Sequence, residues 1–299
     1  MLAGVRRYQE SPYTRALPDM PVVAQAGGVQ LRDYGGSGRP VVVVPSLINP
    51  PTVLDLAEDN SMLRWLAGQG LNPLLVDWGD GAAERDLDIA GQVDGRLVPL
   101  LAQIESPALV GYCLGGTIAV RLASRRPVSR LALIAAPWSF AGYGAAARDG
   151  IAGWWAATGP SGGALGGVPM DMLQPLFWRL DPQGTVGKFE ALGRKGEADP
   201  GFVALEDWAN DGPPLSLPAA RQMAERFFAA DDPGEGRWAP APAVPVLSFT
   251  ATRDRIVPAT AAPPFGTQVP VDAGHVGMIV GSRARTTLWE PLAAFLRAP

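Results

Sequence analysis

The sequence contains one cysteine and one histidine, and each lies beside glycines. Cys113 lies in 108-ALVGYCLGGTIAV-120, and His275 lies in 271-VDAGHVGMIV-280. A thiolate is a strong nucleophile, and an imidazole is the usual base that activates one. If the fold brings the two side chains together, these residues predict nucleophilic catalysis with a covalent intermediate on Cys113.

The segment 111-GYCLGG-116 follows a predicted strand over 107–112 and opens a predicted helix over 114–124. A nucleophile at such a strand-to-helix turn is typical of the nucleophile elbow of α/β-hydrolases, with cysteine here in place of serine. The glycines are expected to keep side chains away from the turn, and the positive end of the helix dipole favours a thiolate. The backbone N–H of Leu114 is predicted to be one oxyanion donor.

A catalytic histidine needs an acid that orients it. Asp254 lies in 249-FTATRDRIVP-258, just past a predicted strand, so the order Cys113, Asp254, His275 matches the order of this fold. Asp272 also lies near His275, but inside or at the end of the last predicted strand, and is the second candidate. A lone cysteine or histidine is more often structural, but order, strand-end placement and glycine flanks together predict a Cys113–His275–Asp254 triad.

The second oxyanion donor is expected in the loop 45-PSLINPP-51, which follows the apolar run 41-VVVVP-45. The N–H of Leu47 is the first candidate and that of Ser46 the next, although an ordinary strand exit bounded by proline would look the same. Three residues beside these motifs are predicted to contact substrate: Ser46, Tyr112 and Arg255. No metal site is predicted.

Short apolar runs alternate with helical segments along much of the chain. The predicted strands cover 41–45, 73–78, 107–112, 129–137, 245–251 and 268–273. The predicted helices cover 60–70, 88–104, 114–124, 217–230 and 284–297. This alternation predicts an α/β-hydrolase fold, with a mostly parallel sheet and helices on both faces.

The alternation stops between the fourth and fifth predicted strands, where the chain becomes rich in Gly, Pro and Trp. The predicted hydrolase core therefore comprises 1–137 and 242–299, and the insertion 138–241 is predicted to be a helical cap. The Gly- and Pro-rich stretches 159–167 and 231–245 are interpreted as loops or cap hinges.

The composition limits the classes of function. The net charge is −4 and no basic stripe stands out, which argues against a nucleic-acid partner. A single cysteine cannot form an internal disulfide, and neither a secretory signal nor a membrane span is recognisable, so a cytoplasmic location is expected.

Several motifs between positions 44 and 277 resemble the polyhydroxyalkanoate synthases, particularly the shorter kind that works with a partner subunit. The motifs are 44-VPSLINPPTVLDL-56, 60-NSMLRWLAGQGLNPLLVDWG-79, 111-GYCLGG-116, 180-LDP-182, 205-LEDWANDG-212, 254-DRIVP-258 and 274-GHVG-277. This sequence departs from the family at two places beside the expected site. Arg255 stands where synthases commonly have histidine, and Ser46 replaces the second proline of a Pro-Pro-Leu-Ile-Asn segment.

The resemblance implies an acyltransferase that joins 3-hydroxyacyl units from coenzyme A thioesters into polyester. In that reaction Cys113 attacks the thioester, His275 is the base and Asp254 assists it, and no cofactor is needed beyond coenzyme A as part of the substrate. A partner subunit, a polyester granule and a homodimer formed through the cap are further implications of the resemblance.

Two other functions remain open from the sequence. The same triad could hydrolyse an ester, thioester or polyester, as in an esterase, thioesterase or depolymerase, although cysteine favours transfer because most esterases of this fold use serine. A non-catalytic granule-associated or binding protein is the other alternative, and an intact triad argues against it. Arg253, Arg255 and Arg283 are candidates for binding coenzyme A phosphates, and solvated surface arginines are the competing interpretation.

Overall fold

The computed structural model describes residues 1–195 and 197–298. Its main sheet has eight strands in the order β1-β2-β6-β3-β7-β8-β9-β10, and β4 pairs with β5 in a separate hairpin. The strands are β1 Val22–Ala26, β2 Val29–Asp33, β3 Pro40–Val44, β4 Asp55–Ala57, β5 Asn60–Ser61, β6 Asn72–Asp77, β7 Ala108–Tyr112, β8 Arg130–Ile134, β9 Val246–Ala251 and β10 Thr267–Val271. Strand β2 runs antiparallel to both of its neighbours, and the pairs from β6 to β10 are parallel.

The central strands are apolar along their whole length because helices cover both faces of the sheet. In β3, Val42 and Val44 pack into the core on one face, and Val41 and Val43 pack into the core on the other. This alternation follows from the two-residue period of a strand. The predicted α/β-hydrolase fold, with a mostly parallel sheet between two helical layers, is confirmed.

The predicted helical segments 60–70, 88–104, 114–124, 217–230 and 284–297 all contain helices in the structure. The regular helices are α1 Leu2–Gln9, α2 Met62–Gly68, α3 Ile89–Gln92, α4 Val98–Leu100, α5 Leu114–Arg125, α6 Ala145–Leu165, α7 Met170–Trp178, α8 Pro182–Gly193, α9 Pro200–Asn210, α10 Leu217–Arg221, α11 Gly277–Val280 and α12 Glu290–Arg297. Wider π-type turns extend this set at Val93–Leu97, Gln222–Ala229 and Arg285–Trp289, and short 3₁₀ turns occur at Pro51–Leu54, Ala82–Glu84, Phe140–Tyr143 and Ala259–Ala261. No helix in the described part of the chain is long and apolar enough to cross a lipid bilayer.

Helices α6 to α10 lie in the insertion between β8 and β9. The interpretation of 159–167 as a loop was wrong, because α6 continues through Pro160 to Leu165. Gly162 brings α6 close to Val168 and Leu217, where an added Cβ would lie 3.1 Å and 3.2 Å from their side chains, so tertiary packing outweighs low helix propensity. Gly166, at φ 75°, then ends the helix in a left-handed conformation.

The last part of the insertion packs on the sheet-covering helix α5. The Trp238 indole donates a hydrogen bond to the Thr117 carbonyl at 2.8 Å, and its ring lies under the Arg121 guanidinium and against Phe227. The division into a core of 1–137 and 242–299 and a cap of 138–241 stays a prediction. Gly196 of the predicted cap and Pro299 of the predicted core lie outside the described residues.

Candidate active site

Cys113 occupies the turn between β7 and α5 with φ 55° and ψ −131°. A residue other than glycine is strained by about 1–3 kcal/mol at these backbone angles, and such strain is concentrated at functional sites. The Cys113 N–H donates to the Ile134 carbonyl of the neighbouring strand at 2.9 Å, which holds the turn in place. The thiol is partly exposed. Cys113 therefore has the local geometry of a nucleophile elbow.

Glycines allow the elbow to pack against its neighbours. An added Cβ at Gly115 would lie 2.1 Å from the Val44 carbonyl oxygen and 2.6 Å from that of Pro45. An added Cβ at Gly111 would lie 2.4 Å from the Gly116 Cα. The start of α5 thus lies directly on the exit of β3, which is the segment that leads to Leu47.

We expect Gly115→Ala to lower the free energy of unfolding by about 3 kcal/mol, because the new methyl group must displace backbone rather than a flexible side chain. Chemical denaturation measures the effect. The matched control is Gly95→Ala, since Gly95 lies in a helical segment with no atom within 4 Å of an added Cβ. That control should stabilise the protein by up to about 1 kcal/mol. Equal effects of the two changes would contradict the close packing at the elbow.

The structure brings Asp254 and His275 together beside Cys113. Asp254 lies in the loop after β9, and His275 lies in the loop after β10. The His275 Nδ1–H donates to Asp254 Oδ2 at 2.6 Å. Both side chains are buried, with exposed fractions of 6% for His275 and 1% for Asp254. The other Asp254 oxygen accepts the N–H groups of Ile256 and Val257 at 2.8 Å and 2.9 Å, so the turn fixes the carboxylate. The negative charge of Cys113 acts on the imidazole and raises its pKa.

Charge at the site controls the protonation of His275. Burial disfavours the charged imidazolium, but the negative charge of Cys113, the hydrogen bond with Asp254 and the hydrogen bond with Cys113 outweigh burial and raise the pKa of His275 to about 10. The site therefore favours the protonated imidazolium of His275, which can donate a proton to a leaving group.

The single imidazole of the chain should titrate in an NMR experiment with a midpoint near pH 10. In Cys113→Ser the midpoint should move to lower pH, because the negative charge beside the ring is removed. Because the folded-state pKa is raised, the contribution of His275 to stability is complete below pH 6.5 and is lost as the pH rises through about 10. A wild-type midpoint at 6.5 would contradict the charged contacts.

Asp272, the second candidate for the acid, lies away from the imidazole. Its carboxylate is 64% exposed and pairs with Arg253 at 3.0 Å and with Arg283 at 2.9 Å. The hydrogen bond from Arg283 and the charge of Arg253 lower the pKa of Asp272. Two of the arginines predicted to meet coenzyme A phosphates are therefore held by Asp272.

Leu114 and Leu47 lie where the oxyanion donors are expected. Leu114 is the first residue of α5, so its N–H is one of those that an α-helix leaves without an internal acceptor. Leu47 is buried in the loop after β3, where the Trp78 indole supports the backbone by donating to the Pro45 carbonyl at 3.3 Å. The Ser46 hydroxyl accepts the Ile48 N–H at 3.2 Å. The roles of Leu114, Leu47 and Ser46 stay predictions.

Tyr112 is buried beside the imidazole of His275. It is 3% exposed, its ring packs 5.2 Å from the His275 ring, and its hydroxyl lies 3.5 Å from the His275 carbonyl oxygen. Burial raises the pKa of Tyr112 well above its ordinary value, as do the charges of Cys113 and Asp254. Tyr112 therefore packs against the imidazole, and its predicted contact with substrate stays a prediction.

Sequence reasoning missed Tyr143. It ends the 3₁₀ turn that leads into α6, and its ring stacks on Phe140 with centroids 5.7 Å apart. Burial raises the pKa of Tyr143, and so do the charges of Cys113 and Asp254, which places the phenol near the same site. No spacing or motif marks this residue, because only the chain reversal after β8 brings it there.

Arg255 is 62% exposed and binds Asp181, the residue before α8, at 2.6 Å.

Within residues 1–195 and 197–298, no three His, Cys, Asp or Glu side chains are grouped so that they could hold a metal ion.

The comparisons with known proteins give two kinds of relative, and no protein-family model matches the chain. The chain is 26% identical over 300 aligned positions to a poly(3-hydroxyalkanoate) polymerase subunit PhaC from Haloarcula marismortui, covering 90% of this chain and 63% of the relative. It is 28% identical over 284 positions to a PhaC subunit from Haloferax mediterranei, covering 85% and 58%. The chain thus spans about 60% of the length of these relatives.

Among solved structures, an esterase from Exiguobacterium antarcticum superposes with a TM-score of 0.54 at 16% identity, covering 93% of this chain and all of the esterase. At this identity the likeness concerns the fold alone. The similarity to the PhaC subunits confirms the resemblance that the sequence motifs predicted.

Proposed function

We propose that this chain, a homologue of the poly(3-hydroxyalkanoate) polymerase subunits, is an acyltransferase that takes 3-hydroxyacyl groups from coenzyme A thioesters and joins them into polyester. The observation that carries the proposal is the hydrogen bond between Asp254 and His275 together with Cys113 at a strained strand-to-helix turn, where its negative charge raises the pKa of His275. The nucleophile, the base and the orienting acid lie at the carboxyl edge of the sheet, as an acyl transfer requires.

In the first half-reaction, the Cys113 thiolate attacks the thioester carbonyl carbon. The oxygen becomes negative, and the N–H groups of Leu114 and Leu47 are the proposed donors to it. As the carbon–sulfur bond breaks, coenzyme A leaves as a thiol with the proton that His275 supplies, and the acyl group remains on Cys113. One thioester replaces another, so this step is close to balanced in energy, which suits a cysteine nucleophile.

In the second half-reaction, the hydroxyl of another 3-hydroxyacyl unit attacks the acyl-enzyme. His275, now neutral, accepts the hydroxyl proton, and Asp254 stabilises the imidazolium that results. An ester bond forms, the bond to Cys113 breaks, and the thiolate–imidazolium pair is restored.

The acid and base of the site are shielded from bulk water. The exposed fractions of the His275 and Asp254 side chains are 6% and 1%. We propose that the inserted helices cover the site as a cap and limit the entry of water to the acyl-enzyme. The relatives are named as subunits, which supports a partner subunit as part of the proposal.

The test follows free thiol during incubation of the purified protein with 3-hydroxybutyryl-coenzyme A and identifies the acyl product. Thiol release accompanied by oligomer or polyester, absent in Cys113→Ala, is the expected result. Release accompanied only by free 3-hydroxybutyrate would identify a hydrolase and overturn the transfer proposal. Absence of release from this substrate, in the presence of a PhaC partner subunit as well, would overturn the proposed function.

A further inference from the structure

The Arg255–Asp181 ion pair joins the loop of the candidate acid to the inserted helices. Arg255 directly follows Asp254, and its guanidinium lies 2.6 Å from the Asp181 carboxylate. Asp181 also caps α8 by accepting the Gly184 N–H at 2.9 Å. A single contact thus links the acid turn to the start of a helix in the insertion.

The insertion is held on both sides of Cys113, but by contacts of different kinds. In the sheet order, β3 lies on one side of β7, and β8 and β9 lie on the other. On the β3 side, the Trp208 indole donates to the Pro50 carbonyl at 2.8 Å, and the Asn49 amide meets carbonyl groups at the end of α9. On the β9 side, Arg255 and Asp181 are 62% and 42% exposed. An exposed ion pair contributes only about 0–1 kcal/mol, so the start of α8 is easily released from the acid turn. The start of the insertion stays held on this side, because the Trp138 N–H donates to the Ala261 carbonyl at 2.7 Å.

The charges around Arg255 favour an anion. Arg253 lies on the same loop, and together with Arg283 it shares the single carboxylate of Asp272. Asp272 therefore balances only one of the two guanidinium charges that it contacts. A guanidinium can form two parallel hydrogen bonds with a phosphate. These bonds are at least as strong as those that it forms with an exposed carboxylate.

We propose that Arg255 is a specificity-determining residue that exchanges Asp181 for a phosphate of the coenzyme A portion of the substrate. The exchange releases the start of α8 from the acid turn when a thioester with its nucleotide arrives, and the ion pair re-forms when coenzyme A leaves. The inference rests on the proposed function, because it assigns a residue to the nucleotide portion of the same substrate.

The test compares two thioesters and two variants. The substrates are 3-hydroxybutyryl-coenzyme A and the 3-hydroxybutyryl thioester of N-acetylcysteamine, which lacks phosphates. Arg255→Gln removes the proposed phosphate ligand, and Asp181→Asn removes its competitor while leaving a side chain that can still cap α8. Arg226→Gln is the matched control, because Arg226 is 58% exposed and pairs with Asp232 at 2.7 Å.

We expect Arg255→Gln to raise KM for the coenzyme A thioester by about 10-fold, the loss of a charge-assisted hydrogen bond. Asp181→Asn should lower that KM by about 2- to 5-fold, since an exposed ion pair no longer competes. Neither change should alter KM for the N-acetylcysteamine thioester by more than about 2-fold, which is the usual size of effect for a surface substitution. Arg226→Gln should leave both values at the wild-type level.

Equal changes for both thioesters would show that the ion pair is only structural and would overturn the exchange. If Arg255→Gln kept the wild-type KM for the coenzyme A thioester, the exchange would also be overturned. The proposed function would still stand, because the protein would still turn over the thioester. If the wild-type protein turned over neither thioester, the proposed function and the inference would fall together.

Discussion

Cys113→Ala is expected to reduce the rate of thiol release from 3-hydroxybutyryl-coenzyme A by about 10,000-fold or more, the range seen when a covalent nucleophile is removed. The reason is that the alanine protein can form no acyl-enzyme, although Asp254 and His275 keep their contact. Steady-state assays with a thiol reagent measure the rate, and mass spectrometry shows whether acyl groups accumulate on the protein.

Cys113→Ser is the control for this change, because serine is the residue that nucleophile elbows of this fold commonly contain. The serine variant should fold like the wild type but release coenzyme A much more slowly than the wild type does, since an alkoxide is harder to form beside His275 than a thiolate is. If Cys113→Ala kept activity within 10-fold of wild type, covalent catalysis at Cys113 would be refuted.

The position of the nucleophile could be predicted because several local signals agree. The apolar run that becomes β7, the glycines that allow close approach and the periodic pattern of α5 all indicate a strand, a turn and a helix. The structure adds the positive φ of Cys113 and the distances to Val44 and Gly116, which no sequence pattern supplies.

The antiparallel edge of the sheet was not predicted. Strand β1 is largely exposed, so it lacks the continuous apolar pattern of a buried strand. Its pairing with β2 is local, since Ala26 pairs with Val29 across the two-residue turn Gly27-Gly28, whereas the pairing of β2 with β6 joins segments far apart in the sequence. Edge strands with few buried side chains give weak signals for this physical reason.

Motifs that carried the resemblance divide into two groups once their contacts are known. Asp55 is buried and binds Arg64 and Arg15, so this part of the shared pattern holds the small β4–β5 hairpin and α2 together. Trp78 supports the loop of Leu47 instead. Residue identity alone could not separate these roles, because both depend on which backbone groups lie nearby.

The choice between two acids near His275 also required the fold. Asp272 is closer to His275 in sequence, but its side chain points to Arg253 and Arg283 at the surface. Asp254 is 21 residues away from His275, and its carboxylate meets the imidazole because β9 and β10 are parallel neighbours. Chain order favoured Asp254, and the contact agrees with that preference.

Asp254→Asn is therefore expected to lower kcat/KM for the coenzyme A thioester by about 10,000-fold, as in triads where the acid is replaced by its amide. The asparagine amide removes the negative charge that stabilises the imidazolium and can turn its NH₂ group toward Nδ1, which favours the wrong tautomer. The pKa of His275, read from its NMR signals, should fall in the same variant because the Asp254 carboxylate is one of the groups that raise it.

Asp272→Asn is the matched control, since it makes the same chemical change on the loop of His275 but at a carboxylate that is 64% exposed. Its activity should stay within about 2-fold of wild type, as for a surface substitution. The two variants together separate the charge that His275 contacts from the charge that merely lies nearby in sequence. If Asp272→Asn lost activity and Asp254→Asn did not, the assignment of the acid would be reversed, although the 2.6 Å contact of His275 with Asp254 argues that it will not be.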